Sequence, residues 1–320
     1  MQRALLLPPP RWGRVGAGVM SLRVLIFADQ ADWHVRGLKE GFAAAGVAAE
    51  ASSLRRCGLE MRADGVRFLL PEPAAPPPDL VFVKTIAAGS FEEVTLRLGI
   101  LHGLEAAGCA VVNSAPAIER CVDKAQTSLR LALAGLPTPP SWTVQSREAA
   151  AALVAAEAGG GHELVLKPLF GAQGRGLLRI ADPSALPEAE AVDGVFYLQR
   201  FVPPADAQFR DCRVLVSAGR AVAAMLREHE GWITNVHQGA RCVGIPAEGR
   251  VAELAVAAAG VVGAYHAGVD LIRGADGNWA ILEVNSMPAW KGLQGVTPFP
   301  IAPILAEDAL ALLAEAERRR

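Results

Sequence analysis

The sequence predicts a mixed α/β and α+β protein, in which an open α/β domain precedes a mainly antiparallel region. Strand-like and helix-like stretches alternate up to about residue 115, as they do in open sheets covered by helices. Beyond residue 160, short apolar strands surround a glycine-rich loop and an acidic hairpin. This change of pattern indicates that the two parts of the chain fold differently.

The N-terminal region opens with the apolar run LRVLIFA at 22–28, which is typical of a buried parallel strand. Helical spacing follows at 34–45, and a longer helix is predicted at 91–107. Both helices end at a glycine, which is a common C-terminal signal. The remaining strands of this region are predicted at 48–53, 80–83 and 110–113.

The second region begins with helical patterns at 117–133 and 146–158, and it then becomes mainly strand-like. Its last helix, at 305–317, ends in three arginines that suit the negative end of the helix dipole. A further helix is predicted at 251–267. The strands are predicted at 163–168, 176–180, 195–201, 214–217, 221–227 and within 271–285.

These patterns divide the chain into four parts. Residues 1–20 are rich in arginine, glycine and proline and are predicted to be a disordered extension. Met20 directly precedes the first strand pattern, so the extension is either a flexible arm or a segment upstream of the natural start. We assign 21–115 to an N-terminal substrate-side domain, 116–200 to a central lobe and 201–320 to a C-terminal lobe.

The composition excludes several classes of protein. Hydrophobic residues make up 52% and charged residues 20%, which predicts a packed core. A net charge of −2 is unlike that of a nucleic-acid binder, and no apolar run reaches the length of a membrane span. The five cysteines form no CxxC pair, which argues against a disulfide framework or a zinc site and fits a cytoplasmic protein.

The most informative stretch is the predicted hairpin GVDLIRGADGNWAILEVNS at 268–286. The pair Asp276-Gly277 is a strong two-residue turn signal between apolar runs. Counting outward from this turn places Asp270 opposite Glu283, with side chains on one face of the hairpin. Asn285 is two residues beyond Glu283 and therefore shares that face.

Two opposed carboxylates in an apolar hairpin repel each other and are costly to remove from water. A hard divalent cation such as Mg²⁺ resolves this repulsion, because it binds carboxylate, amide and phosphate oxygens. Leu282 and Val284 would supply the opposite, core-facing side of the strand. The alternative is a different turn register, in which the acids face solvent.

The second motif is the glycine-rich loop KPLFGAQGRG at 167–176. Lys167 ends a predicted strand, and Gly171, Gly174 and Gly176 would let backbone N–H groups approach phosphate oxygens. The order of residues does not match a Walker loop, and no helix follows as in a dinucleotide-binding fingerprint. A flexible flap over nucleotide phosphates is the better interpretation.

In these and other motifs, the chain resembles the RimK-like ligases of the ATP-grasp superfamily. The resemblance extends from about Asn113 to Trp290 through NSAPAIERCVDKAQT, LKPLFGAQGRG, LQRFV, RDCRVLV, AVAAMLR, ITNVHQGA and EVNSMPAWKGL, in the family's order. It implies an ATP-grasp fold, in which two α+β lobes clasp ATP after an N-terminal α/β (pre-ATP-grasp) domain.

The resemblance also implies roles for individual residues. Asp270 and Glu283 would hold one Mg²⁺ or Mn²⁺ ion, and Glu283 with Asn285 a second. Arg227 and Lys167 would be the catalytic cations beside the transferred phosphoryl group. The implied nucleotide-binding residues are Lys124, Lys167, Gly171, Gln173, Gly174, Gly176, Gln199, Arg200, Phe201, Val202, Asp211, Arg213 and Asn235.

Two positions depart from the family pattern. The hinge has Arg200 where relatives usually have glutamate, and Ile233 stands where an arginine is common. Because adenine is read mainly through hinge backbone, the resemblance still implies ATP binding. Arg241 or Arg213 would have to supply the missing charge.

The implied activity is that of an ADP-forming carboxylate–amine ligase with an acyl-phosphate intermediate. The amine would be L-glutamate or another amino acid, and the acid a tetrahydromethanopterin-like cofactor or a peptide or protein C-terminus. The resemblance leaves a homo-oligomer open. The alternatives are a non-catalytic ATP-binding or assembly protein on the same scaffold, and a Rossmann-type oxidoreductase, which the missing glycine fingerprint disfavours.

Overall fold

The computed structural model describes residues 22–63, 65–71, 77–171, 174–204, 206 and 208–318. The predicted extension at 1–20 and the predicted nucleotide contact Gln173 lie outside these residues. The chain forms two compact units: residues up to Val112 together with those from Ala306 onward, and Asn113–Leu305. Among the described residues, no helix is both long and apolar enough to span a membrane.

The N-terminal unit contains a four-stranded parallel sheet with the order β2-β1-β5-β6. Every residue of β1 and β5 is buried, as the uninterrupted apolar runs predict. The side chain of the residue before each helix caps its first turn: Asp32 for α1 and Ser90 for α2. Ser90 also forms a reciprocal capping box with Glu93. The elements are β1 Val24–Phe27, α1 Trp33–Ala44, β2 Ala49–Ser52, β3 Gly58–Arg62, β4 Gly65–Leu69, β5 Leu80–Val83, α2 Phe91–Ala106 and β6 Ala110–Val112.

The hairpin of β3 and β4 was not predicted from the sequence. It is a separate antiparallel pair, in which Leu59 lies opposite Phe68. The Phe68 ring packs close to Gly103 of α2, where a Cβ atom would lie only 2.9 Å from it. The hairpin buries little apolar surface, so the pattern of apolar and polar residues along it is only a weak indication of strands.

The second unit contains two antiparallel sheets, with the orders β7-β10-β8-β9 and β13-β12-β11-β14-β15. Helix α5 packs on the first sheet and helix α6 on the second. The elements are α3 Ala115–Val122, α4 Lys124–Leu133, β7 Ser141–Val144, α5 Arg147–Gly159, β8 Leu164–Lys167, β9 Leu178–Ile180, β10 Phe196–Arg200, β11 Phe209–Ser217, β12 Arg220–His229, β13 Arg241–Ile245, α6 Gly249–Val262, β14 His266–Arg273, β15 Trp279–Asn285 and α7 Lys291–Gln294. The last helix, α8 Ile301–Arg318, is divided between the two units at Ala306.

Two predicted helices differ from the structure. The helix predicted at 117–133 is broken at Asp123, whose carboxylate caps α4 by accepting the backbone N–H of Gln126 at 3.0 Å. This break makes Lys124 the first residue of α4. The helix predicted at 251–267 ends at Val262, because Gly263 adopts φ +73° and the chain then enters β14.

Asn113 joins the ends of β14 and β15 beneath the hairpin that carries the acidic residues. Its amide nitrogen donates to the carbonyl oxygens of His266 at 2.7 Å and Ser286 at 2.6 Å. Its amide oxygen accepts the backbone N–H groups of Tyr265 at 2.6 Å and His266 at 3.0 Å. Asn113 is fully buried, so these four bonds have no water to replace them.

We expect Asn113→Ala to lower the free energy of unfolding by about 3 kcal/mol or more, because it leaves several buried backbone groups without a partner. Urea denaturation followed by circular dichroism measures the loss. The control is Asn278→Ala at the exposed hairpin turn, which should cost about 1 kcal/mol or less. Equal losses in the two variants would contradict this role for Asn113.

Candidate active site

The acidic hairpin has the predicted pairing, but it reaches that pairing by a different route. Asp270 lies opposite Glu283, as expected. The predicted two-residue turn is wrong, because the N–H of Gly274 bonds to the carbonyl of Asn278 at 2.9 Å and so closes a wider loop. A β-bulge next to Asp270 then shifts the register by one residue and restores the pairing.

The bulge also corrects the predicted orientation of Leu282. Leu271 pairs with Ile281 and Asp270 with Glu283, so Leu282 is the extra residue of β15. Leu282 therefore lines the same cavity as Glu283 instead of facing the core. The core side of this strand is supplied by Ile281 and Val284. A bulge places two consecutive side chains toward the site, which strict alternation does not allow.

A row of charged side chains crosses the second sheet at this level. Asp211 of β11 lies opposite Arg227 of β12, and Arg213 lies opposite Asp270 of β14. Arg227 Nε donates to Asp211 at 2.7 Å, its Nη2 contacts the other Asp211 oxygen, and the same Nη2 lies 2.9 Å from Asp270. Arg213 holds both Asp270 oxygens at 2.6 Å. The row continues to Glu283 of β15, which lies 3.9 Å from Arg213.

The pairing controls the protonation of these groups. Burial by itself would raise the pKa of the Asp270 carboxyl, but Arg213 and Arg227 outweigh it and hold that pKa well below its usual range. Burial opposes the charge of Arg227, yet Asp270 and Asp211 raise its pKa well above the ordinary value. The ion pairs therefore favour the charged forms of Asp270 and Arg227, although both side chains are buried, whereas burial raises the pKa of the Asp211 carboxyl.

Glu283 is the member of the row whose charge is least compensated. Its Oε1 accepts an N–H of Asn285 at 3.0 Å, and 30% of its side chain is exposed. Among the described residues, no three His, Cys, Asp or Glu side chains converge into a complete cation site. The oxygens of Asp270, Glu283 and Asn285 fit a divalent cation only if a bound ligand supplies the remaining oxygens, which is how Mg²⁺ binds beside phosphates.

Two lysines face this acidic edge. Lys167 ends β8 and donates to the amide oxygen of Gln199 at 2.6 Å. Lys124 donates to the carbonyl oxygens of Leu169 at 3.3 Å and Gly171 at 2.9 Å. Burial lowers the pKa of both lysines, and the carboxylate of Glu283 opposes the shift in each case. The field of Glu283 thus reaches both ammonium groups.

The glycine-rich loop packs against the loop that contains Asn235. Gly174 has φ +70°, and a Cβ atom there would lie 2.5 Å from the Asn235 amide oxygen and 2.9 Å from Ile233. Gly176 has φ +71°, and a Cβ atom there would lie 2.9 Å from the Pro168 side chain. Only glycine combines this backbone conformation with so close a contact.

The hinge residues lie beside the same cavity. Arg200, one of the two departures from the family pattern, is held by Glu157 of α5 through bonds of 2.7 and 3.0 Å. The ring of Phe201 meets that of Trp232 edge to face, with centroids 6.2 Å apart. The predicted hinge therefore combines an ion pair with an aromatic contact.

One cavity of about 490 Å³ joins these parts. Of the predicted site residues that the structure describes, three are not part of its lining: Gly176, Arg213 and Asn285. The predicted residues that do line it are Lys124, Lys167, Gly171, Gly174, Gln199, Arg200, Phe201, Val202, Asp211, Arg227, Asn235, Asp270 and Glu283.

Several lining residues were not predicted. Arg175 lies within the glycine-rich motif and Trp232 directly precedes the motif that begins at Ile233, and these positions were the available signal. Arg273 and Trp279 come from the hairpin arms, where only the bulge and the wider loop decide which side chains face the cavity. Among the unpredicted contacts, the side chain of Arg175 lies 3.4 Å from His237.

Comparison with known proteins finds a matching family and similar ligases. The RimK-like ATP-grasp domain model matches residues 121–307. The tetrahydromethanopterin:alpha-L-glutamate ligase of Methanococcus maripaludis is 34% identical over 72% of this chain and 78% of its own. A probable alpha-L-glutamate ligase of Legionella pneumophila is 31% identical over 68% and 75%.

Solved structures support the same fold. The ATP-grasp ligase PsnB complexed with its minimal precursor superposes with a TM-score of 0.69, at 22% identity over 91% of this chain and 99% of its own. The D-cycloserine synthetase DcsG gives a TM-score of 0.67 at 18% identity, over 94% of this chain and 100% of its own. The predicted ATP-grasp fold is confirmed, and the chain belongs to the RimK-like ATP-grasp family.

Proposed function

We propose that this protein is an ATP-dependent ligase that joins L-glutamate to a carboxylic acid through an acyl phosphate. Its class, an ADP-forming carbon–nitrogen ligase, is consistent with its relatives, which are named as glutamate ligases. The observation that carries the proposal is the cavity in which two lysines face Glu283, the least compensated member of the charged row. Such a site suits a polyphosphate and a divalent cation together.

The charge of the cavity lining supports a nucleotide as the ligand. Among the described residues, seven basic side chains line it against four acidic ones; Arg200 and Arg210 are paired with glutamates outside the lining, and a positive charge still remains for phosphate oxygens. The basic residues are Lys124, Lys167, Arg175, Arg200, Arg210, Arg227 and Arg273, and the acidic ones are Asp206, Asp211, Asp270 and Glu283. The solved relatives with Mg and ADP or with AMPPNP support the same ligand class.

Asp270, Glu283 and Asn285 would hold the metal, and we propose Mg²⁺ or Mn²⁺ with two ions. A divalent cation held there would offset the negative charge of the phosphate oxygens. Arg227, held by Asp211 and Asp270, presents a fixed positive charge to the transferred group. Lys167 contributes a second cation, and the glycine-rich loop excludes water from an activated acyl group.

The substrates are proposed from the relatives. The amine is L-glutamate, because the named relatives with 31–34% identity are glutamate ligases. The acid is either a tetrahydromethanopterin-like cofactor or the C-terminus of a peptide or protein, since the similar structures include ligases with bound precursor peptides. A reducing cytoplasm is our expected location, from the absence of a disulfide pattern in the sequence.

We expect ADP release to require both an acid and L-glutamate, because the amine must consume the acyl phosphate before turnover continues. A coupled ADP assay with tetrahydropterin and peptide acids tests this, and mass spectrometry should find products heavier by glutamyl residues. The control omits the amine. Nucleotide binding without turnover for any pair of acid and amine would favour the non-catalytic alternative.

Glu283→Gln should lower turnover by about 100-fold or more, because it removes the carboxylate that both lysines and the proposed metal depend on. The same ADP assay measures the loss. Glu253→Gln on the exposed face of α6 is the matched control and should keep wild-type activity. Undiminished turnover in Glu283→Gln would remove the metal site from the proposal.

Gly174→Ala should lower turnover about 10-fold or more, because its Cβ atom would collide with Asn235 and displace the loop from the cavity. Gly161→Ala is the control, because it introduces similar backbone strain without a steric contact. Gly161 has φ +78°, but its Cβ atom would meet nothing within 4 Å. If both variants lost the same activity, the contact with Asn235 would have no part in catalysis.

A further inference from the structure

A buried hydrogen-bonded network lies behind Lys167 and is formed by residues to which the proposed mechanism gives no role. Lys167 of β8 and Tyr197 of β10 are direct cross-strand partners, and Gln199 is two residues further along the same face. Gln199 and Tyr197 are each only 1% exposed. Ser128 of α4 and Ser141 of β7 complete the network.

The chemistry of the groups determines the direction of each bond. An ammonium group can only donate, so the Gln199 amide must turn its oxygen toward Lys167, at 2.6 Å. Its nitrogen then donates to Ser141 Oγ at 3.2 Å and toward the Tyr197 hydroxyl at 3.4 Å. The Ser141 hydroxyl donates to the Pro139 carbonyl at 2.9 Å, which leaves its oxygen free to accept.

The remaining bond extends the network to the second lysine-bearing element. With its oxygen occupied by Gln199, the Tyr197 hydroxyl has its hydrogen available for Ser128 Oγ, 2.7 Å away. Ser128 lies one turn after Lys124 in α4. Tyr197 therefore connects the strand of Lys167 to the helix that begins at Lys124.

This arrangement allows only one orientation of the Gln199 amide. The opposite orientation would place its N–H groups against the ammonium of Lys167 and its oxygen between two groups already satisfied. One hydrogen of the Lys167 ammonium is thereby committed, and the other two are left to face the cavity that Lys167 lines. A long lysine side chain loses considerable rotamer freedom when it is held this way, and here that loss occurs before any ligand binds.

We propose that Gln199 and Tyr197 are positioning residues, which hold Lys167 in the orientation that receives nucleotide phosphates. The inference rests on the proposed function, because it takes Lys167 as a nucleotide contact. It goes further in two ways. The side chain of Gln199 positions Lys167, and Tyr197 contributes to nucleotide binding without contacting the ligand. Removing either side chain should weaken nucleotide binding, whereas the groups that take part in amide formation remain in place.

The test compares nucleotide binding by Tyr197→Phe and Gln199→Met with the wild type, by calorimetry with ADP and Mg²⁺. We expect the dissociation constant to rise about 3- to 10-fold for Tyr197→Phe and about 10-fold or more for Gln199→Met. In turnover assays the KM for ATP should rise more than kcat falls. Tyr265→Phe, which changes the chain's other tyrosine outside the cavity lining, should bind as the wild type does.

A double-mutant cycle identifies the route of the effect. In a Lys167→Met background, Tyr197→Phe should change the dissociation constant by less than about twofold, because the tyrosine acts through the lysine. Additive losses would overturn the inference, as would wild-type binding by both folded single variants; in either case the ligase assignment would be unaffected. A wild-type protein that binds no nucleotide would instead overturn the proposed function and this inference with it. Thermal unfolding of each variant confirms that the comparison is made on folded protein.

Discussion

The second unit depends on one electrostatic constraint: the charged row that runs across β12, β11, β14 and β15 must keep its register. Along the row the charges alternate in sign, in the order Arg227, Asp211, Arg213 and Asp270. All of these residues except Arg213 are at most 4% exposed. A buried charge without its partner is strongly destabilising. A slip of one residue between any two of these strands would turn a charged side chain into the apolar core, so the row selects a single strand alignment.

The row ends in two acids, Asp270 and Glu283, which form the proposed metal site. Asp270 is paired with two arginines, whereas Glu283 accepts the Asn285 amide, lies 3.9 Å from Arg213 and interacts electrostatically with the two lysines. The bulge at Leu282 is the local distortion that keeps Glu283 in line with the row despite the wider hairpin loop. Beneath the hairpin, Asn113 fixes the outer ends of both strands, so the acidic edge is held from two sides.

The departures from the family pattern acquire physical explanations in the structure. Arg200 is balanced by Glu157 on α5, so the hinge carries an ion pair and no unpaired charge. Ile233 lies against Gly174, and an apolar side chain suits this close contact with the loop backbone. Arg241 does not replace the missing arginine, because its guanidinium pairs with Glu228 and does not line the cavity. Arg213 is committed to Asp270. Arg175, within the glycine-rich loop, is the additional cation of this part of the lining.

The sequence by itself determined the family and most element positions, and it predicted many of the residues that line the cavity. These depend on local periodicity, on turn residues and on a hairpin whose arms are only 13 residues apart at Asp270 and Glu283. The features that it did not predict are contacts between residues distant in sequence and local changes of backbone geometry at single residues. The helix break at Asp123 and the bulge at Leu282 interrupt otherwise regular patterns. Only the tertiary structure brought Arg213 to Asp270 across 57 residues and Lys167 to Gln199 across 32, because sheet order and register decide which polar side chains meet, and no short stretch of sequence encodes either.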